Sequence, residues 1–198
     1  MNVLIISGSQ REASQSLHVA NYLKTQSLKQ GFTRADVLDL HDLALPFWNE
    51  GFWSGSEEWN GWQPVAQTLQ AADAVILITP EWHGMATPVV KNFLLLCTDK
   101  ELGHKPVLLT SVSASINGVY PISELRMTGS KNNHACFIPD HLIFRQSEAL
   151  ITQDLQCSDH HFAERCSYTL HQLNAYAQAL KDVRRSLDGL SEKFPYGM

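Results

Sequence analysis

The length, composition and charge of the chain describe a globular protein without nucleic-acid or membrane partners. Its 198 residues, 44% of them hydrophobic and 18% charged, can bury a sizeable core, and we expect residues 1–198 to form one domain. The formal net charge of −5, with no run of Lys and Arg, argues against nucleic-acid binding, and the aliphatic stretches are far shorter than the ~20 residues that span a membrane.

Five short apolar segments predict β-strands. The first, third and fourth, residues 3–6, 74–78 and 107–109, are nearly continuous runs of aliphatic residues, as in strands that are buried on both faces. The second, residues 36–40, alternates and predicts a strand with one more polar face, and residues 141–144 are a weaker candidate for the last strand. Strands buried on both faces indicate a parallel sheet that helices cover on each side.

Segments with helical periodicity separate these strands. They are residues 14–29, 63–72 and 87–97. Apolar residues spaced three, four or seven apart from Phe162 to Leu187 predict a long amphipathic helix that ends near Gly189. The alternation predicts an α/β fold, namely a flavodoxin-like doubly wound five-stranded parallel sheet in the order 2-1-3-4-5 with helices on both faces.

The tryptophans are concentrated in one segment, residues 45–62, which holds four of the five among Gly, Ser, Asn and Glu. The segment predicts neither a regular helix nor a regular strand. Three roles stay open for its aromatic side chains: ordinary packing, a contact between subunits, or a lid over a substrate.

The four cysteines form no Cys-x-x-Cys pair, and the N-terminal apolar run is too short for a signal peptide. We therefore expect reduced thiols and a cytoplasmic protein. Five potential metal ligands lie close together in the sequence, but their spacing fits no standard zinc site, so we predict no metal site. They are Cys157, His160, His161, Cys166 and His171.

The stretch SGSQREASQS, residues 7–16, directly follows the first strand and enters the first helix. In a sheet of this order, ligands bind beyond the carboxyl ends of the strands, beside the first strand. A helix N-terminus there offers free N–H groups to an anion, and Gly8 permits close approach of the backbone. The side-chain donors for a phosphate are then Ser9, Arg11, Ser14 and Ser16. The alternative is that Ser14 only caps the helix and Arg11 is solvated.

Two further loops follow the third and fourth strands. The first, TPEWHGMATPVVKN at residues 79–92, contains a tight turn and a helix start, and the second, SVSASINGVY at residues 111–120, is rich in Ser and Gly. Because carboxyl ends of parallel strands share one edge of a sheet, the three loops predict a crevice. It would hold a phosphate at one end and a flat ring between the other two loops.

Two of these motifs resemble those of the NADPH-dependent FMN reductase family, flavodoxin-like enzymes that include quinone, azo-dye and chromate reductases. The family's first loop commonly reads G-S-x-R-x-x-S-x-N, against Gly8-Ser9-Gln10-Arg11-Glu12-Ala13-Ser14-Gln15-Ser16 here. Its third-strand loop commonly reads T-P-E-Y-N-x-x-x-P-x-x-L-K-N, against Thr79-Pro80-Glu81-Trp82-His83 and then Pro88, Lys91 and Asn92. The chain departs from the family at Ser16, Trp82 and His83, where Asn, Tyr and Asn are usual.

The resemblance implies FMN as cofactor, NAD(P)H as co-substrate and a small molecule as electron acceptor. It implies three groups of FMN-binding residues: those holding the phosphate, those lining the isoalloxazine and those flanking its other side. They are Ser9, Arg11, Ser14, Gln15 and Ser16; Pro80, Glu81, Trp82, His83 and Gly84; and Ser113, Ser115 and Gly118. It also implies a homodimer, or a dimer of dimers, built mainly on the helices after the third and fourth strands.

The implied reaction needs little from side chains, because the flavin supplies the chemistry and the protein positions it. We therefore assign no catalytic acid or base. His83 is the best candidate for tuning the flavin or delivering a proton, and its alternative is a place on the rim of the site.

Three functions stay open at this point. The favoured one is an FMN-dependent oxidoreductase that takes hydride from NAD(P)H and reduces a quinone, flavin, azo compound or similar acceptor. The alternative is a non-catalytic FMN electron carrier, or a flavin-dependent binding module, that docks on a protein partner. The third is a protein that has lost flavin because Val119 and Tyr120 crowd the site. No set of arginines for the additional phosphate of NADPH stands out in the sequence.

Overall fold

A five-stranded parallel sheet forms the centre of the fold in the computed structural model, which describes residues 1–187 and 189. The strand order is β2-β1-β3-β4-β5, and every neighbouring pair is parallel. The strands are β1 (Asn2–Ser7), β2 (Arg34–Asp39), β3 (Ala74–Pro80), β4 (Pro106–Val112) and β5 (Cys136–Phe144). The predicted fold class and strand order are confirmed.

Helices cover both faces of the sheet, and the strands show why. Every residue of β3 and β4 is buried, because alternate side chains enter different clusters. Val75 and Leu109 enter one cluster, whereas Ile76 and Leu108 enter the other. The first cluster is completed by α4 (Trp62–Ala71), α5 (Pro88–Leu96) and α7 (Tyr120–Thr128), and the second by α1 (Gln15–Lys29) and α9 (His160–Ser186).

Short helices occupy several of the connections. They are α2 (Leu40–Leu43), α3 (Gly51–Ser54), the 3₁₀ turn Glu57–Trp59, α6 (Asp99–Leu102) and α8 (Ser147–Leu150). None of the described helices is long and apolar enough to cross a membrane.

Three elements differ from the sequence-based expectation. Strand β5 begins at Cys136, five residues before the predicted start, and α7 is the helix that the family resemblance implies after the fourth strand but that no periodic segment of the sequence predicts. Helix α9 begins after an N-cap at Asp159 and ends at Ser186, three residues before Gly189, near which the sequence predicts its end.

Candidate functional site

Three loops leave the carboxyl ends of β1, β3 and β4 at one edge of the sheet. Since β1 pairs with β3 and β3 pairs with β4, the loops lie side by side. They comprise residues 8–14, 81–87 and 113–119. Their position is where ligands bind in doubly wound sheets.

Gly8 joins the first loop to the end of β3. Its amide donates a hydrogen bond of 2.9 Å to the carbonyl of Ile78, and its carbonyl accepts one of 2.6 Å from the hydroxyl of Thr87. A Cβ at this position would overlap both that Ile78 carbonyl and the side chain of Val90. The family motif therefore needs glycine at position 8, because the backbone just after β1 contacts both β3 and α5.

The first turn of α1 has unused hydrogen-bonding capacity. Ser14 is the N-cap, and its hydroxyl oxygen accepts a hydrogen bond of 3.1 Å from the amide of Leu17. The amides of Gln15 and Ser16 donate to no group in residues 1–187. The Ser16 hydroxyl and the Gln15 side-chain oxygen are buried and likewise lack a described partner. Capping and anion binding are compatible for Ser14, because its hydroxyl still has a hydrogen to donate.

The loop before this helix is tightly shaped and carries one exposed cation. The Ser9 hydroxyl oxygen accepts a hydrogen bond of 3.1 Å from the amide of Arg11, and Ala13 adopts the left-handed conformation with φ of 46°. The exposed Arg11 guanidinium makes no hydrogen bond or ion pair with the described chain. Ser9 is buried and Arg11 is exposed, so these two candidate phosphate ligands lie at different depths.

The β3 loop forms a two-residue hairpin turn. Trp82 and Met85 exchange two backbone hydrogen bonds of 3.1 and 2.9 Å, and His83 and Gly84 between them have φ of 51° and 73°. Two successive positive φ angles define a type I′ turn, for which Asn-Gly is the preferred sequence. His83 thus stands where the family's Asn favours the turn. The amides of His83 and Gly84 donate to no described group and remain available.

The remaining predicted residues of this loop are committed to the fold. Pro80 is the buried last residue of β3, and the amide of Glu81 donates a hydrogen bond of 2.9 Å to the carbonyl of Val112. One carboxylate oxygen of Glu81 is buried without a partner in the described chain. Glu81 therefore joins the β3 loop to the end of β4 and carries an acceptor that a ligand can satisfy.

Serine hydroxyls stabilise the β4 loop through hydrogen bonds within the loop. The Ser113 hydroxyl oxygen accepts a hydrogen bond of 3.2 Å from the amide of Ser115, and the two hydroxyls are 3.3 Å apart. Gly118 has φ of 113°, and a Cβ there would lie 2.5 Å from the Ile143 side chain. The hydroxyl of Ser111 donates to the Gly118 carbonyl at 2.5 Å. Gly118 is therefore required for the loop to return against β5.

Tyr120 bridges the two loops that would flank the ring. Its side chain would be 3.8 Å from a Cβ placed on Gly84, so it stands directly against the hairpin turn. Tyr120 is 60% exposed and Val119 is 43% exposed. Both residues therefore lie at the rim of the crevice.

Two positioning contacts were missed by sequence reasoning. The amide of Ala86 donates a hydrogen bond of 2.7 Å to Glu124 on α7, whose carboxylate also pairs with Lys91 on α5. Burial alone raises the pKa of Glu124, but the hydrogen bonds from Lys91 and Ala86 outweigh it and leave that pKa below its ordinary value. Glu124 holds Ala86 at the end of the β3 loop, although the two residues are 38 positions apart in the sequence. No sequence motif predicts such a contact.

The tryptophan-rich segment divides into buried and exposed parts. Trp59 and Trp62 belong to the core, so ordinary packing explains them. Phe47 and Trp53 are 71% and 68% exposed, and the Trp53 ring meets that of Trp48 edge to face at 4.9 Å. The exposed rings leave the subunit-contact and lid hypotheses open for this part.

The cysteines and histidines near the start of α9 do not form a metal centre in the described structure. Within residues 1–187 and at 189, no three His, Cys, Asp or Glu side chains converge to hold an ion. Cys166 lies in the core, and all four thiols are free.

The crevice residues fit FMN. Free amides and an unpartnered hydroxyl at the start of α1, with the exposed Arg11 in the loop that leads to them, suit a phosphate dianion. Free amides of His83 and Gly84 suit the polar edge of a ring, and the β4 loop bounds the other side.

Comparison with known proteins identifies the family. Residues 1–149 match the family of NADPH-dependent FMN reductases. An NADPH azoreductase of Bacillus sp. (strain OY1-2) is 25% identical over 94% of this chain and 98% of its own length. An FMN-dependent NADPH-azoreductase of Staphylococcus aureus (strain USA300) is 32% identical over 64% of this chain and 68% of its length.

Solved structures share the fold. The flavoenzyme NAD(P)H:(acceptor) oxidoreductase FerB of Paracoccus denitrificans superposes with a TM-score of 0.69 at 19% identity, covering 90% of this chain and 97% of its own. Because the family match spans three quarters of the sequence and includes all three crevice loops, this chain belongs to the NADPH-dependent FMN reductase family.

Proposed function

We propose that the crevice binds FMN and that the enzyme passes electrons from NADPH to an aromatic azo compound or a quinone. The phosphate would lie at the start of α1, and the ring between the β3 hairpin and the β4 loop. The residues we assign to FMN are Ser9, Arg11, Ser14, Gln15, Ser16, Pro80, Glu81, Trp82, His83, Gly84, Ser113, Ser115 and Gly118. As a family member, the protein is an FMN-dependent oxidoreductase that oxidises NAD(P)H and reduces a small acceptor.

The phosphate assignment rests on the polar groups at the first turn of α1 that have no hydrogen-bond partner in the described chain. Buried hydroxyls in folded proteins nearly always have a partner, and leaving one unpaired costs about 1–3 kcal/mol. The Ser16 hydroxyl lacks one in the described chain and adjoins two free amides. A bound phosphate would satisfy all three donors together.

The chain's own part in the reaction is to position and enclose the reactants. Bound FMN supplies the chemistry by accepting hydride from a nicotinamide and returning the electrons to an acceptor. The hairpin of Trp82–Met85 would hold one edge of the ring, and its type I′ turn keeps the His83 and Gly84 amides fixed. We assign no acid or base, because no side-chain proton transfer is needed for a stacked hydride donor.

Aromatic side chains at the crevice favour aromatic acceptors. Trp82 and Tyr120 flank the hairpin turn, and flat rings stack favourably on such side chains. Two relatives carry azoreductase in their names, which agrees with an acceptor of extended aromatic structure.

We further propose that the protein is a homodimer that pairs through α5 and α7. These helices border a surface groove of about 510 Å³ lined by Leu94, Leu95 and Leu125 among others. Leu95 is 64% exposed and Met127 on α7 is 81% exposed, which is typical of an interface face. Size-exclusion chromatography with light scattering should give about twice the mass of 22.2 kDa, and the Leu95→Asp variant should give a monomer.

We place the protein in the cytoplasm, as a single domain over residues 1–198. Both hydrophobic clusters flank one sheet, which supports a single domain. The cytoplasm keeps thiols reduced, which agrees with the four cysteines being free in the described structure.

The absorbance spectrum of the purified protein, followed by stopped-flow mixing with NADPH, tests this function. An enzyme should carry a flavin spectrum that bleaches rapidly under anaerobic NADPH and recovers when an azo dye or quinone is added. A spectrum that stays yellow until a protein partner is added would instead indicate the electron carrier. A colourless protein that takes up no FMN would overturn the proposal and indicate that Tyr120 and Val119 block the site.

A further inference from the structure

A second cavity lies at the edge of the sheet, between the end of β5 and the start of α9. Its volume is about 390 Å³. His141 and Arg145 line it from β5 and the residue after it, and His161 and Arg165 line it from α9. No residue of this cavity belongs to the proposed FMN site.

The carboxylates at this cavity are already engaged. Asp159 caps α9 by accepting a hydrogen bond of 3.1 Å from the amide of Phe162. Asp140, just before His141, pairs with Arg165 and accepts a hydrogen bond of 3.0 Å from Thr169. Asp159 is therefore engaged by a helix terminus, and Asp140 by Arg165 and Thr169.

Two guanidinium groups near the cavity have no acidic partner in the described chain. Arg145 donates to the carbonyl of Asn117 at 3.1 Å, and Arg126 donates to the three consecutive carbonyls of residues 138–140 at 2.9–3.0 Å. Burial lowers the pKa of His141, and the charges of Arg126, Arg165 and Arg145 lower it further against the opposing effect of Asp140. Of the two arginines that line the cavity, Arg145 is therefore the one whose charge no carboxylate of the described chain offsets.

The cavity adjoins the crevice through the β4 loop. The Arg145 side chain holds the Asn117 carbonyl, and the next two amides, of Gln146 and Ser147, donate to the carbonyls of Ser115 and Ser113 at 3.0 and 3.1 Å. These serines are on the loop that we assign to the flank of the flavin ring. Because β4 and β5 are neighbouring strands ~4.8 Å apart, the end of β5, which lines this cavity, lies next to the loop that would flank the ring.

We propose that this cavity binds the 2′-phosphate of NADPH and thereby makes the enzyme prefer NADPH to NADH. The inference rests on the proposed function, since the nicotinamide must stack on a flavin in the crevice. A planar guanidinium such as that of Arg145 donates paired hydrogen bonds to a phosphate, and Arg165 and His161 would close the other side. The arginine set that the sequence did not reveal is assembled from the end of β5 and the first turns of α9.

The test is the Arg145→Gln variant, with Arg185→Gln as a control for the same change of charge. Arg185 is exposed at the opposite end of α9 and pairs with Asp182. We expect the KM for NADPH to rise about tenfold in Arg145→Gln, as for loss of one charged hydrogen bond, while the KM for NADH stays the same. Arg145→Lys should recover part of the loss, and Arg185→Gln should match wild type for both nucleotides.

A binding measurement tests the proposed phosphate site without relying on enzyme turnover. Calorimetric titration with adenosine 2′-monophosphate should show binding to wild type that Arg145→Gln weakens about tenfold, and weaker binding of the 5′-isomer. Equal rises in KM for NADPH and NADH would overturn the proposal, because they would report only a displaced β4 loop. A higher KM for a sulfonated azo dye with an unchanged NADPH-to-NADH preference would also overturn it and assign the cavity to an anionic acceptor. Failure of the proposed function is distinct, because a protein without FMN would show no NADH oxidation at all.

Discussion

Asn92 on α5 holds the backbone on both sides of Phe47. Its side-chain oxygen accepts a hydrogen bond of 2.8 Å from the amide of Trp48, and its side-chain nitrogen donates one of 2.8 Å to the carbonyl of Pro46. Asn92 is 6% exposed, so its side chain is largely shielded from water. The asparagine that closes the family's second motif therefore fastens the tryptophan-rich segment to the helix beside the crevice.

Replacing Asn92 by Ala should destabilise the protein by about 2–3 kcal/mol, because a backbone amide and a carbonyl lose their partners. Urea unfolding followed by tryptophan fluorescence measures the change. Asn60→Ala is the matched control, since Asn60 is exposed in the same segment and its side chain makes no hydrogen bond with the described chain. Equal stabilities of the two variants would show that the Asn92 hydrogen bonds contribute nothing.

Arg11→Ala should weaken FMN binding about tenfold and leave the stability of the apoprotein within about 0.5 kcal/mol of wild type. The reason is that the exposed guanidinium makes no hydrogen bond with the described chain. Its removal therefore takes an interaction away from a bound phosphate and from no group of the apoprotein. Fluorescence titration with FMN gives the affinity, and Arg34→Ala is the charge control, because Arg34 begins β2 and so lies at the opposite end of the strands from the crevice. An unchanged Kd for FMN would remove Arg11 from the phosphate site.

The sheet could be predicted from the sequence because its central strands are buried on both faces. Such strands must be continuous apolar runs, so β1, β3 and β4 stand out without any knowledge of their neighbours. The edge strand β5 did not stand out, because it contains Pro139 and Asp140, which a strand tolerates only at the margin of a sheet.

The loops of the site could be located, but not the contacts that hold them. The glycines and serines of the first loop signal backbone approach and helix capping locally. The Ala86–Glu124 hydrogen bond joins residues 38 positions apart, and the Trp48–Asn92 bond joins residues 44 apart. Each of these two hydrogen bonds can form only once the chain has folded. The apolar periodicity did not reveal helix α7 for a related reason, because its apolar face consists of only Ile122 and Leu125 after a Pro at its start.

Ser16→Ala should change the apoprotein and the FMN complex in opposite directions. Removing a buried hydroxyl without a partner should stabilise the apoprotein by about 1 kcal/mol, whereas FMN should bind about tenfold more weakly. Thermal unfolding without and with FMN measures both effects.

Ser27 offers a matched control at the other end of the same helix. Its hydroxyl is also buried without a described partner, and it lies far from the crevice loops. Ser27→Ala should therefore stabilise both forms alike and leave the FMN affinity unchanged. Weaker FMN binding in both variants would show that Ser16 acts through helix packing.

Gly8→Ala should cost about 3 kcal/mol of stability and abolish FMN binding. The added methyl group would overlap the Ile78 carbonyl, which is backbone and cannot move aside, as well as Val90. Gly61→Ala is the control, because a Cβ there meets nothing within 4 Å and φ is −67°. Gly61→Ala should be neutral or slightly stabilising in chemical denaturation. A Gly8→Ala protein of wild-type stability that binds FMN would contradict the close approach of the loop to β3.

Lys105 should make stability depend on alkaline pH. Its ammonium group is buried and donates to the carbonyls of Leu69 and Gln70 at 2.5 and 3.1 Å, at the end of α4. Burial, and then the nearby charge of Arg184, lower its pKa from 10.5 to about 8. Between these two values the unfolded chain keeps the proton and the folded chain does not, so this group's contribution to stability rises with pH.

Other groups oppose this trend, so the prediction concerns a difference between proteins. Burial raises the pKa of Tyr22 and Cys166, which makes their contributions fall in the same pH range. The stability of wild type relative to Lys105→Met should therefore increase by about 2 kcal/mol from pH 7.5 to pH 10, under reducing conditions. Lys100→Met, at an exposed position on α6, should show no such dependence relative to wild type. A difference between wild type and Lys105→Met that stays constant with pH would mean that the Lys105 amine titrates alike in the folded and unfolded chains.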